Sequence, residues 1–74
     1  MTALEAIKVI LSDEKSYKTS LNWAVEYCRA ALSMMPGDYP LRIQCLYILN
    51  NIQKWRHPQA KEVRMALKKE GGVK

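Results

Sequence analysis

The sequence predicts an all-α fold: a small bundle made of a short N-terminal helix, a central antiparallel helical hairpin and a basic C-terminal helix. Three observations support this prediction. Apolar residues recur at spacings of three and four along most of the chain. Prolines and glycines fall between these periodic segments. No segment alternates apolar and polar residues as a half-buried strand would.

The chain has 74 residues, which we interpret as one domain spanning positions 1–74. A domain of this size buries only about 60% of the surface that its unfolded chain exposes, so its stability margin is thin. The apolar fraction of 49% is enough for a core, whereas two cysteines do not make a disulfide framework. Small domains often gain stability by association, and we therefore expect a homo-oligomer.

The first helix is predicted over residues 3–12. Thr2 and Glu5 fit a capping box, in which each side chain bonds the backbone amide of the other residue. The second helix is predicted over residues 17–35, because apolar residues from Tyr17 onward follow spacings of four and three. A proline and a glycine then end this helix, since proline disfavours the helical conformation of the residue before it.

The third helix is predicted over residues 39–55, where an apolar stripe runs from Leu41 to Trp55 at helical spacing. Further apolar residues flank this stripe. They are more than one neighbouring helix would cover, which again favours association. The fourth helix is predicted over residues 58–69, with Pro58 at the first helical position, where an amide hydrogen would have no partner.

The short turn between the second and third helices predicts an antiparallel hairpin. Cys28 and Cys45 lie almost equally far from this turn, so we expect them to face each other. Tyr17 and Trp55 should meet near the open end of the hairpin for the same reason. Buried free thiols are the expected state of the two cysteines, and a redox-controlled disulfide is the alternative.

The net charge of +5 is concentrated in one part of the chain. Residues 54–74 hold seven basic and two acidic residues, whereas residues 1–53 hold five of each kind. A charge excess confined to one segment creates a local positive field, which attracts an anionic partner.

Basic side chains in and before the predicted fourth helix are the first candidates for binding this anion. Lys61 and Arg64 are three residues apart, so they share a helix face. Arg56 adjoins Trp55 just before the helix begins, where free amides and the positive end of the helix dipole favour a phosphate. Arginine also suits bidentate phosphate contact. We predict phosphate contacts from Arg56, Lys61 and Arg64, and stacking or hydrogen bonds from Trp55. The alternative is a solvated basic face on a terminal helix, with Trp55 pointing into the core.

A polar stripe on the predicted third helix is the second candidate surface. It contains Gln44, Tyr47, Asn51 and Lys54 at helical spacing. Asparagine is a poor helix former, so its presence needs a reason: exposure, a hydrogen bond between helices or subunits, or ligand recognition. We predict that Tyr47 and Asn51, with Arg29 of the second helix, line a polar groove or a subunit interface.

The sequence contains no recognisable catalytic or cofactor-binding pattern. It has one histidine, His57, three glycines in turn positions and scattered carboxylates. We therefore predict a protein that is not an enzyme and has neither a metal site nor a cofactor. The N-terminal segment does not resemble an export signal, and no apolar run approaches the membrane-spanning length of about 20 residues. We expect a cytoplasmic protein without a membrane partner.

Several segments resemble small helical proteins encoded by bacteriophages and prophages, most of which have no known function. The resemblance covers about residues 20–69 and lies in Leu21–Tyr27, Gln44–Asn51, Trp55-Arg56 and Ala60–Arg64. Some compact helical phage proteins oligomerise and sequester the nucleotide signals of bacterial immunity. The resemblance implies a similar role for this chain in the cytosol of a bacterial host, and it assigns no individual residue.

The leading functional hypothesis is a non-enzymatic oligomer that binds and sequesters an anionic, nucleotide-like ligand. The first alternative is a DNA-binding regulator, in which the third and fourth helices imitate a helix-turn-helix and Gln59 and Arg64 read bases. The second alternative is an interaction module for an acidic host protein. The sequence leaves all three open.

Overall fold

A computed structural model of the chain describes residues 1–73 and confirms the all-α class. Within these residues there is no strand, and the four α-helices are α1 (Ala3–Ser12), α2 (Asn22–Ala31), α3 (Tyr39–Asn50) and α4 (Ala60–Gly71). The Cα radius of gyration is 10.8 Å, close to the value of about 11 Å expected for a compact chain of this length. In the described part of the chain, every helix falls short of the length and apolarity that a bilayer crossing requires.

The four helices form a ring in which each helix packs against two neighbours. α1 contacts α2 and α4, and α3 contacts the same two helices. α2 and α3 are antiparallel, because Tyr27 lies against Tyr47 whereas Asn22, nearer the start of α2, shares a pocket with Asn51 at the end of α3. The beginning of α2 and the end of α3 therefore lie at the same end of the bundle.

The core is formed by side chains from all four helices and the segments between them. The largest fully buried side chains are Trp55, Ile7, Ile10, Leu21, Leu41, Ile48, Ile52, Leu67 and Val63. On α3, Cys45 and Ile48 are buried, and Leu46 and Leu49 are half-buried. Other parts of the same chain therefore cover most of the apolar surface from which we predicted association. This surface alone therefore does not require a second subunit.

The first helix begins and ends where the sequence predicts, and its capping box is present. The Glu5 amide donates to Thr2 Oγ1 over 3.2 Å, and the Thr2 amide donates to Glu5 Oε1 over 2.8 Å. The bond from the Thr2 amide stabilises the carboxylate and lowers the pKa of Glu5.

The second helix is shorter at both ends than the predicted span of residues 17–35. Before it, the Leu21 amide donates to the Ser16 carbonyl over 2.9 Å, which closes a turn that is not helical. After it, the Ser33 hydroxyl donates to the Ala30 carbonyl over 3.0 Å, and the backbone amides bond carbonyls three residues earlier. A backbone bond thus replaces the helical pattern before α2, and a short polar side chain competes with it after α2.

The third helix ends at Asn50, whereas the prediction extends it over residues 39–55. The Asn51 side chain donates from Nδ2 to the Tyr47 carbonyl over 2.8 Å. That carbonyl would otherwise accept the Asn51 amide, which instead bonds the Ile48 carbonyl over 2.9 Å. The helix therefore stops here, and Trp55 lies in the connection that follows.

The fourth helix starts at Ala60, so Pro58 precedes it and does not occupy its first position as predicted. The Gln59 amide donates to His57 Nδ1 over 3.0 Å, and the Ala60 amide donates to the His57 carbonyl over 2.9 Å. These bonds form a separate turn before the helix. The helix runs two residues further than predicted, until Gly72 with φ of +77° closes it in the left-handed conformation that glycine tolerates.

Candidate functional site

A polar pocket lies where the beginning of α2 meets the end of α3. Its volume is about 420 Å³, within the range of about 300–1,000 Å³ typical of ligand pockets. Its lining combines hydroxyls, carboxamides, an indole ring and an ammonium group, supplied by Thr19, Ser20, Asn22, Trp23, Asn50, Asn51, Gln53 and Lys54.

Three asparagines of this pocket lie at helix ends. Asn22 is the first residue of α2, Asn50 is the last residue of α3, and Asn51 follows it. At these positions the low helix propensity of asparagine carries little penalty. The structure thus places together the asparagines that the sequence left unexplained, along two walls of one pocket.

Trp23 is the residue of this pocket that stands out most, because 67% of its surface is exposed. Large aromatic side chains are usually buried because burial removes much apolar area from water. The buried side of α2 is formed by Ala24 and Cys28, which leaves Trp23 on the outer side of the helix. An exposed indole next to carboxamides offers a ring face to a planar ligand.

The N-terminus of α2 opens into the same pocket, because Asn22 and Trp23 are the first residues of the helix. Leu21 occupies the N-cap position, and no side chain in residues 1–73 caps the helix there. The first amides therefore leave the positive end of the helix dipole available to a ligand. Lys54, which is exposed, adds a full positive charge. This combination attracts an anionic group.

Tyr47 lies beside the pocket, one helical turn from Asn51. Its surface is 49% exposed, and its ring centroid lies 5.6 Å from that of Tyr27 on α2. The structure therefore brings the predicted residues Tyr47 and Asn51 together, and Asn51 lines the pocket. Arg29 does not join them: it is exposed on α2, and its Nη1 lies 4.0 Å from Glu26 Oε1.

Trp55 lies in the core with 1% of its surface exposed. Its Nε1 donates to Asp13 Oδ2 over 2.7 Å, and its ring stacks on that of His57 with a centroid distance of 5.2 Å. The indole N–H, followed by the Ser16 hydroxyl, lowers the pKa of Asp13 because both stabilise the carboxylate. A buried ring does not suit the ligand-stacking role predicted for Trp55.

Arg64 uses its guanidinium group inside the protein. Its Nη2 donates to the Ile52 carbonyl over 2.8 Å and to the Trp55 carbonyl over 2.7 Å. These bonds satisfy carbonyls in the connection after α3. The other two predicted phosphate ligands, Arg56 and Lys61, are exposed, and all three lie outside the polar pocket.

The two cysteines are buried in the core as free thiols. Burial, with a smaller electrostatic contribution from Cys45, raises the pKa of Cys28 to about 12. Burial and the nearby Glu70 carboxylate raise the pKa of Cys45 to about 11. Both thiols are therefore protonated near neutral pH and unreactive. Among the described residues, no three His, Cys, Asp or Glu side chains are grouped as a metal ion would require.

Sequence reasoning missed Trp23, together with Thr19 and Ser20. A signal for Trp23 was present, because the predicted apolar stripe of the second helix includes Ala24 and Cys28 but leaves Trp23 off it. A tryptophan outside the buried face of an amphipathic helix indicates a surface role. The hydroxyls carry no comparable signal, since serine and threonine are common in turns.

Comparisons with known proteins give no match: no family model, curated protein or solved structure is significantly similar to the chain. The chemistry of the polar pocket is therefore the basis for a functional proposal.

Proposed function

We propose that this protein binds a small, anionic, nucleotide-like ligand in the polar pocket and holds it without chemical change. The observation that carries this proposal is the 67% exposure of Trp23 in a pocket that also contains Lys54 and the uncapped beginning of α2. An aromatic ring beside a concentrated positive field suits a ligand that has both a planar base and a phosphate.

Each part of such a ligand has a matching group. The base stacks on the exposed face of Trp23. The carboxamides of Asn22 and Asn50 pair with its polar edge, because an amide both donates and accepts hydrogen bonds. The phosphate lies near Lys54 and the first amides of α2, with the hydroxyl of Thr19 as a further donor.

The proposed role is sequestration of a host immune signalling nucleotide in the bacterial cytosol, as the resemblance to phage proteins implies. Binding without transformation fits the lining, because within the described chain it consists of carboxamides, hydroxyls, an indole and an ammonium group and contains no carboxylate, imidazole or thiol. Association into a homo-oligomer belongs to the same proposal. The exposed side chains of Met35, Tyr39 and Met65 offer apolar contact area for it.

Arg56 and Lys61 have an indirect part in this proposal. Both are exposed and lie outside the polar pocket. Their charges contribute to the positive field of the whole molecule, which raises the rate at which an anion arrives more than it strengthens the final complex.

Isothermal titration calorimetry with a panel of mononucleotides and of linear and cyclic dinucleotides tests the proposal. We expect at least one nucleotide to bind, and Trp23→Ala to weaken it by about tenfold or more, since stacking contributes about 1–3 kcal/mol per base. Lys54→Ala should also weaken binding, whereas Lys61→Ala, its matched control, should not. Absence of binding across the panel, or an equal loss in the two lysine variants, would contradict the proposal.

Docking of an acidic protein partner is a second candidate function. A groove between the beginning of α1 and α4, whose charged lining residues are Lys69 and Glu70, favours docking, and the exposed Lys68 adds a second basic side chain on α4. A cavity of about 410 Å³ here is lined by residues that include Leu4, Pro36, Ala66 and Lys69. Met65 lies next to this groove with 61% exposure, and methionine adapts to varied partners. A partner captured from a bacterial lysate by the wild type but lost with Met65→Glu supports this function, and equal recovery contradicts it.

The DNA-binding alternative receives less support from the geometry. The connection between α3 and α4 covers residues 51–59, longer than the turn of about three or four residues in a helix-turn-helix. The guanidinium Nη2 of Arg64 is bonded to two carbonyls and is not free to read a base. Tight, salt-dependent binding to duplex DNA would restore this alternative.

A further inference from the structure

Two tyrosines, Tyr27 on α2 and Tyr47 on α3, are each four residues from a residue that lines the polar pocket. Trp23 and Tyr27 are four residues apart on α2, so they share a helix face. Asn51, which follows α3, donates a hydrogen bond from its side chain to the Tyr47 carbonyl. The Tyr27 and Tyr47 rings are 5.6 Å apart and tilted by 36°. Trp23 and Asn51 line the pocket together. These four side chains therefore lie on the same side of the α2–α3 pair.

Two of these four side chains are exposed aromatic rings. Trp23 is 67% exposed and Tyr47 is 49% exposed, although both are large apolar side chains. A hydrogen bond between α3 and α2 lies near these rings: Gln44 Nε2 donates to the Tyr27 carbonyl over 2.8 Å, and Gln44 is itself buried. An interhelical bond of this kind fixes the relative position of the two helices. The surface thus carries two stacking positions, at neighbouring turns of two packed helices.

On the basis of the proposed function, we infer that the ligand contains two neighbouring bases joined by a phosphate. One base stacks on Trp23, and the other stacks on Tyr47, which is backed by Tyr27. Successive aromatic side chains receive successive bases in proteins that bind single strands, because every base has a ring face. Lys54 supplies the positive charge for a phosphate next to the base on Trp23.

Two kinds of molecule contain two neighbouring bases joined by a phosphate: a free dinucleotide, and any two successive nucleotides of a single-stranded nucleic acid. Both present bases that are free to lie on protein rings. Duplex DNA does not, because its bases are stacked and paired inside the helix and reading their faces requires unpairing. The binding surface consequently discriminates against an intact duplex of the same sequence.

Fluorescence titration of the full chain with adenosine monophosphate and with the linear dinucleotide ApA tests this inference. The exposed Trp23 reports stacking, whereas the buried Trp55 gives a constant background. We expect ApA to bind about tenfold tighter than the mononucleotide, in line with the contribution of one stacked base. Tyr47→Leu should remove this difference and leave the affinity for the mononucleotide unchanged.

Two control variants separate stacking from a general effect of the substitution. Tyr47→Phe keeps the ring and should keep the preference for ApA. Tyr39→Leu changes another exposed tyrosine, with 69% exposure, outside this surface; it keeps an apolar side chain there and should leave the preference for ApA over the mononucleotide unchanged. Stronger binding of an oligo(dA) strand than of ApA, reduced by salt, indicates a single strand as the source. Equal binding of the two indicates a free dinucleotide.

Equal affinity for ApA and the mononucleotide would overturn this inference and leave the proposed function standing. Failure of both to bind would overturn this inference, and absence of binding across the whole calorimetry panel would overturn the proposed function with it. Light scattering of the wild type and of Tyr47→Leu provides a further check. If the wild type associates, and Tyr47→Leu abolishes association but leaves nucleotide binding unchanged, then Tyr47 contacts a second copy of the chain and this inference is wrong.

Discussion

The indole Nε1 of Trp55 lies 2.7 Å from the carboxylate Oδ2 of Asp13, a residue 42 positions earlier in the chain. This bond links the connection after α1 to the connection after α3. The Trp55 carbonyl also accepts a hydrogen bond from Arg64 over 2.7 Å, which attaches the same residue to α4. Trp55 therefore links the connection after α1, the connection after α3 and α4, at the end of the bundle where the polar pocket lies.

We expect Asp13→Asn to destabilise the protein by about 1 kcal/mol near neutral pH, because a charged acceptor forms a stronger bond with the indole than an amide does. The pKa of Asp13 is lowered from 3.8 in the folded state. Its ionised form therefore contributes stability at pH values above 3.8, and this contribution disappears as pH falls through the lowered pKa. Urea unfolding across this range should show a smaller acid-induced loss in the variant, and parallel curves would contradict the account.

Arg64→Met should lower the free energy of unfolding by about 1–3 kcal/mol, because it leaves the Ile52 and Trp55 carbonyls without their donor. Lys61→Met, at an exposed position of the same helix, is the matched control and should change stability by about 0.5 kcal/mol or less. Chemical denaturation of both variants measures the difference. Unchanged stability in Arg64→Met with a loss of nucleotide affinity would instead support the phosphate-binding role predicted from the sequence.

Gly71→Ala should destabilise the protein by about 1 kcal/mol or less, because the cost of overpacking is partly offset by the better helix propensity of alanine. An added Cβ would lie 2.9 Å from Leu46 Cδ2, which requires the neighbouring side chain to move. Leu46→Ala removes the obstacle, so the double variant should lose less stability than the two single variants together. Gly37→Ala serves as comparison: φ is +86° and nothing lies within 4 Å, so only backbone strain of about 1–2 kcal/mol applies and Leu46→Ala should not relieve it.

The cysteines should react slowly with a thiol reagent in the folded protein. Burial raises the pKa of Cys28 to about 12 and that of Cys45 to about 11, so almost no thiolate is present near neutral pH. We expect the labelling rate to rise in parallel with the unfolded fraction when urea is added. Rapid labelling of either thiol in native buffer would show that the surrounding core opens far more easily than its packing indicates.

The sequence predicts those parts of the fold whose signals are local. Thr2 and Glu5 are three residues apart, and both their capping box and the bounds of α1 are correctly predicted. The end of α3 is wrong in the prediction, because the Asn51 side chain competes for the Tyr47 carbonyl and spacing alone does not show which donor prevails. Helix bounds that depend on such competition are decided by a single hydrogen bond.

The candidate site likewise combines features with a local sequence signal and features without one. Asn51 and Lys54 stand out in the sequence because they share one helical stripe, and both line the pocket. Trp55 ends the apolar stripe of the predicted third helix, which indicates its burial, whereas its hydrogen bond to Asp13, far away in the sequence, has no local signal. The pocket itself exists only because α2 and α3 pack antiparallel, which brings Trp23 to the end of α3.

Amide chemical shifts measured by NMR during titration with adenosine monophosphate and ApA test most directly whether the polar pocket is the binding site. We expect the largest changes at the indole N–H of Trp23 and at the backbone amides of Asn22 and Asn51. Changes centred on Arg56 and Lys61, or no changes with either nucleotide, would contradict the account.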